Sequence, residues 1–99
     1  MVMPMDIRVG QIDAKVKITT LDTDDNYGVT NKETGEIRIN KNIKGDMLNI
    51  TLLHELVHMM EANNTSIKEL SEVQVDHIAT NLYSLIRDNP KLMEYIQNV

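Results

Sequence analysis

Apolar residues alternate with polar ones in the first part of the chain and recur every three or four positions in the second. Ile7 and Val9, then Ala14, Val16 and Ile18, have the period of half-buried strands, and Gly10-Gln11 can turn between the two segments. Leu21 to Asn26 reads as an acidic, turn-rich loop. Tyr27 to Asn31 and Glu36 to Asn40 form a predicted hairpin around Lys32-Glu33-Thr34-Gly35. Ile37 and Ile39 lie on one face of its second strand and Glu36, Arg38 and Asn40 on the other. That pattern suits an edge strand facing solvent or a ligand.

The period then changes. With Asp46 as its predicted N-cap, a helix carries Ile50, Leu53, Leu56, Val57 and Met60 as an apolar stripe and ends at Asn63-Asn64. Ser66-Ile67-Lys68-Glu69 matches a capping box. The long helix that follows is expected to bury Leu70, Val75, Ile78, Ala79, Leu82, Leu85 and Ile86. Asp88-Asn89-Pro90 closes it, with Pro90 at the first position of a short last helix bearing Leu92, Met93 and Ile96. The expected fold is α+β: a small antiparallel β-sheet followed by three helices, in a single domain over residues 1–99.

Composition narrows the function classes. Apolar residues make up 41% of the 99, with no Phe or Trp, so the core must be Leu, Ile, Val and Met. A net charge of -5 argues against non-specific nucleic-acid binding, which needs a basic surface. No basic amphipathic stretch suits an anionic membrane, and no apolar run approaches a transmembrane length. The N-terminal residues lack the cationic and apolar regions of a signal peptide, which makes the cytoplasm the default compartment. Without Cys, any metal site must use His and carboxylates.

Such a site is suggested by His54-Glu55-Leu56-Val57-His58. Two imidazoles four residues apart lie about 40° apart around a helix and one turn up, so both can bind one tetrahedral ion. Glu55 then projects beside the metal, where its carboxylate can take a proton from water activated by the ion. Leu56 and Val57 hold the same helix against the core.

A catalytic zinc wants a third protein ligand and one open position. Glu72 and Asp76 share a face of the next helix, opposite Val75, Ile78 and Ala79. A short connection makes the two helices antiparallel neighbours, which brings Glu72 near His58. Glu72 is the expected third ligand, and Asp76 can accept the free ring N–H of a ligating His. His77 is the competing ligand, on a face about 140° away from Glu72.

This pattern resembles that of the gluzincins, in which the Glu is the third zinc ligand and the Asp supports a ligating His. More specifically, Tyr27-Gly28, Thr51-Leu52-Leu53-His54-Glu55-Leu56-Val57-His58 and Glu72-Val73-Gln74-Val75-Asp76-His77-Ile78-Ala79 resemble motifs of the ImmA/IrrE-type metallopeptidases and of small zincin-like phage and prophage proteins. Val75 and Ile78 stand where that pattern usually has Ala and Phe. The resemblance covers roughly Tyr27 to Pro90 and implies Zn²⁺ and hydrolysis of a protein or peptide substrate. On this reading Glu55 is the general base, and Tyr27, Tyr83, Arg38 and His77 are candidates for stabilising the oxyanion, with Tyr27 preferred. An extended substrate is expected beside Glu36 to Asn40. The alternatives are a non-peptidase metal hydrolase, or an inactive zincin-like module with structural zinc that acts through a protein partner. A regulatory partner fits the peptidase reading too.

Overall fold

Alternation becomes pairing as the sequence pattern requires. The computed structural model describes residues 3–21, 27–63 and 69–98. Strands β1 (Asp6–Val9) and β2 (Ile12–Thr19) form an antiparallel hairpin. Gly10 supplies a positive φ of 60° at its turn, a conformation open to glycine at little cost. Strands β3 (Gly28–Asn31) and β4 (Glu36–Asn40) form the second hairpin, with Asn31 opposite Glu36. The Asn31 side chain accepts from the amides of Glu33 and Thr34 and so closes this turn.

The two hairpins join through β2 and β4, which run parallel in the order β1-β2-β4-β3. The sheet is therefore mixed, not purely antiparallel as expected, and β4 is an inner strand, not an edge. The reason lies in what each strand can bury. Ile37 and Ile39 of β4 are completely buried. The same face of β3 carries Gly28 and Thr30, with almost no apolar surface to hide. The strand whose two isoleucines are fully buried takes an inner place, and β3 is left at the edge.

Helix α1 (Gly45–Glu61) crosses one face of this sheet. Leu56 and Met59 pack with Val9, Ala14, Val16, Ile37 and Ile39 in the core, and Val57 is buried outside that cluster. Burying a side chain of this size contributes about 1.5–3 kcal/mol. Met59 fills the place that spacing predicts for Met60, which is exposed. Asp46 does not cap α1, since Lys44 holds the N-cap position. Its carboxylate instead accepts the Tyr83 hydroxyl at 2.6 Å. Beyond the helix end, Asn63 donates to the Val9 carbonyl and accepts from the Gln11 amide, tying α1 to the first hairpin.

Helix α2 (Glu72–Asp88) runs antiparallel to α1, its far end at Asp46 and its start beside His58. Its capping box is Ser71 with Gln74. Ser66 to Lys68 of the expected box lie outside the described residues, and Glu69 precedes the helix. Val75 and Ala79 are buried and Leu82 half-buried, whereas Ile78, Leu85 and Ile86 are exposed. The helix packs on α1 alone for most of its length, so one narrow stripe is covered. Helix α3 (Pro90–Gln97) begins at Pro90 as expected and buries no residue. Among the described residues no helix is long and apolar enough to cross a membrane.

Candidate metal centre

Three elements meet around the middle of α1. Its sheet-facing side turns Glu55 toward β3, and the side facing α2 carries His54 and His58. A cleft of about 880 Å³ runs between β3 and α2 over these residues.

Edge strand and helix come close together at Gly28. A Cβ added there would lie 2.9 Å from Glu55 Cγ and 3.0 Å from Thr51 Cγ2, so only glycine lets the edge strand come this near. Two residues on, the next inward side chain of β3 is used differently. The Thr30 hydroxyl donates to Glu55 Oε1 at 2.7 Å. Glu55 is only 5% exposed. Burial raises its pKa, against the opposing pull of the Thr30 hydrogen bond and of His54 and His58, while Glu72 adds to the rise.

The imidazoles converge. His54 Nε2 and His58 Nε2 lie 3.2 Å apart, with ring centroids at 4.9 Å. Glu72, the first residue of α2, closes the group: Oε2 is 3.0 Å from His54 Nε2 and Oε1 is 2.8 Å from His58 Nε2. Atoms that ligate one ion tetrahedrally with bonds of about 2.0–2.1 Å lie about 3.3 Å from one another. The three side chains approach one another at 2.8–3.2 Å, near that spacing, and could hold a metal ion. Glu72 is mostly exposed, so the group opens to the cleft on the side of α2.

The outer nitrogens of both rings also meet carboxylates. His54 Nδ1–H donates to Asp76 Oδ1 at 2.7 Å, one turn along α2 from Glu72. His58 Nδ1 lies 3.3 Å from Glu61 Oε1, one turn along α1. The other oxygen of Glu61 accepts from Lys32 Nζ at 3.3 Å, and Lys32 in turn reaches Glu69 at 2.8 Å. This pair of carboxylates holds the Lys32 ammonium above its ordinary pKa, with Glu69 the larger cause.

Of the residues expected from sequence, the structure thus brings together His54, Glu55, His58, Glu72 and Asp76. Tyr27 stands half-exposed on the cleft wall with Met47, Ile50 and Thr80. His77 is not part of the lining, and Glu72 occupies the place it competed for. The Tyr83 hydroxyl is taken up by Asp46 and by Asn49 at the far end of α1. Strand alternation places Arg38 on the opposite face of the sheet from Ile37 and Ile39, away from α1. Thr30, Lys32 and Glu61 were not foreseen. The spacing of Glu61, three residues after His58, is a helical neighbour signal that points to it. Thr30 and Lys32 needed the tertiary fold.

No family model, curated protein or solved structure matches the chain, so the chemistry of the site rests on these distances.

Proposed function

We propose that this chain is a zinc-dependent metallopeptidase of gluzincin-like design, with His54, His58 and Glu72 as the metal ligands. The observation that carries the reading is the convergence of those three side chains at ion-ligand spacing beside the buried carboxyl of Glu55. Two imidazoles and a carboxylate suit zinc by charge and donor type. When bound, the ion supplies Lewis acidity toward a carbonyl oxygen and a water molecule.

The chain's own residues do the rest. Asp76 holds the His54 ring by its Nδ1–H, which would leave Nε2 free to ligate an ion. Glu55 takes the proton from the attacking water and returns it to the leaving amine. Thr30 keeps that carboxylate aimed through its hydroxyl. Tyr27, on the cleft wall, offers its hydroxyl to the oxyanion that develops on the scissile carbonyl.

An extended peptide would lie along β3, not along β4, because both edges of β4 are paired. The Tyr27 carbonyl accepts from the Asn40 amide, so alternation in the antiparallel ladder turns the main-chain groups of Gly28 and Thr30 outward. Those groups border the cleft and can pair with a substrate strand. Three converging ligands among the described residues, with Asp76 engaged on His54, favour a hydrolytic centre over a closed structural one.

The test is cleavage of a mixed peptide library by zinc-loaded protein, read by mass spectrometry. Wild-type protein should yield new termini that are lost on chelation and in Glu55→Gln loaded with equal zinc. Cleavage that persists in loaded Glu55→Gln would remove the assigned role of Glu55.

A further inference from the structure

His54 and His58 face the same ion site, yet their outer nitrogens are served differently. Asp76 comes from the neighbouring helix and is exposed. Glu61 comes from the same helix as His58, and its side chain is only 12% exposed. Its Oε1 atom is buried without a hydrogen bond of good geometry, although His58 Nδ1 stands 3.3 Å from it. A buried carboxylate oxygen left unpaired is costly, so a donor has to be aimed at it in the working state. Among the described residues, the ring nitrogen within that reach is His58 Nδ1.

Glu61 is itself held. Lys32 reaches its Oε2 from the β3–β4 turn and reaches Glu69 just ahead of α2. One ammonium group therefore connects the edge hairpin, the end of α1 and the approach to the helix that carries Glu72. Neither Glu61 oxygen takes part in the His54, His58 and Glu72 group.

We propose that Glu61, anchored by Lys32, is the positioning residue for His58. It accepts the Nδ1–H of His58, fixes that tautomer, and keeps Nε2 turned toward Glu72 and His54. The inference rests on the metal-centre reading above. Ligating histidines whose outer N–H is fixed by a carboxylate bind metal about 10–100-fold more tightly.

The rival role for Glu61 is a plain salt bridge that fastens the hairpin to α1, and the two roles separate by measurement. Zinc affinity, by competition with a chromophoric chelator, and the melting temperature of metal-free protein are measured for wild type, Glu61→Ala, Glu61→Gln and Lys32→Met. Glu61→Ala should weaken zinc binding about 10–100-fold. Glu61→Gln, which keeps an acceptor oxygen, should recover most of that loss. Lys32→Met should lower the melting temperature as much as Glu61→Ala while costing less affinity. Equal affinity in wild type and Glu61→Ala would overturn the inference and leave the metal centre standing. Losses of affinity that merely track melting temperature, with no recovery in Glu61→Gln, would also overturn it. A wild-type protein that takes up no zinc would overturn both.

Discussion

The Thr30 hydroxyl meets the Glu55 carboxylate at 2.7 Å, joining the edge strand to the middle of the helix that carries both imidazoles. This hydrogen bond favours the charged form of a carboxyl that burial pushes toward the neutral one. Thr30→Val, which keeps the shape and removes the donor, should raise the Glu55 pKa further. The acid limb of the pH profile for peptide cleavage should move to higher pH, and stability should fall by about 1 kcal/mol. An unmoved acid limb would show that the hydroxyl does not tune this carboxylate.

Glu55 also predicts a pH dependence of folding in the metal-free protein. Its folded-state pKa lies above the ordinary value of 4.5, so the folded state holds the proton to higher pH than the unfolded chain does. The resulting stability is fully present below the unfolded value and is lost as pH rises through the folded one. Glu55→Gln has no charge to bury. Urea unfolding should therefore find the metal-free variant more stable than wild type near neutral pH, with the gap closing at about pH 4. A gap that widens with acid would reverse the assigned direction.

Gly28 leaves no room for a methyl group against Glu55 and Thr51. Gly28→Ala should cost about 1–3 kcal/mol, as overpacking does, and should weaken catalysis by displacing Glu55. Denaturant melts check the first effect and cleavage rates at saturating zinc the second. A variant as stable and active as wild type would mean that strand and helix separate easily here.

Asp76 is exposed, so its worth lies in holding a ring rather than in stability. Asp76→Ala should leave the melting temperature of metal-free protein nearly unchanged while weakening zinc binding by about 10–100-fold. Equal zinc affinity in variant and wild type would remove Asp76 from the account.

Much of this centre was legible in local spacing. His54, Glu55 and His58 follow from helical geometry, and Glu72 and Asp76 from an i,i+4 face on the next helix. Strand limits were readable too, because alternation marks them and Gly10 and Gly35 mark the turns. Sheet order was not. A hairpin pattern is local, but the parallel pairing of Val16 with Ile37 joins segments with another strand between them in the sequence. That misplaced the edge, and with it the groove assigned to substrate. The outer face of α2 was also misread, because Ile78, Leu85 and Ile86 keep helical spacing although nothing in the described structure covers that side. Lys32 carries no such signal, and Glu61 only its spacing from His58: a charged residue in a turn and one at a helix end usually belong to a solvated surface.

The most direct measurement is a calorimetric titration of metal-free protein with zinc at neutral pH, alongside His54→Ala and Glu72→Ala. Wild type should bind about one ion per chain, with release of protons from the ligands and a higher melting temperature in the bound form. Affinity should collapse in His54→Ala and fall markedly in Glu72→Ala. Wild-type protein that binds no zinc, or binds it equally well without His54 and Glu72, would contradict the metal centre and the peptidase built on it.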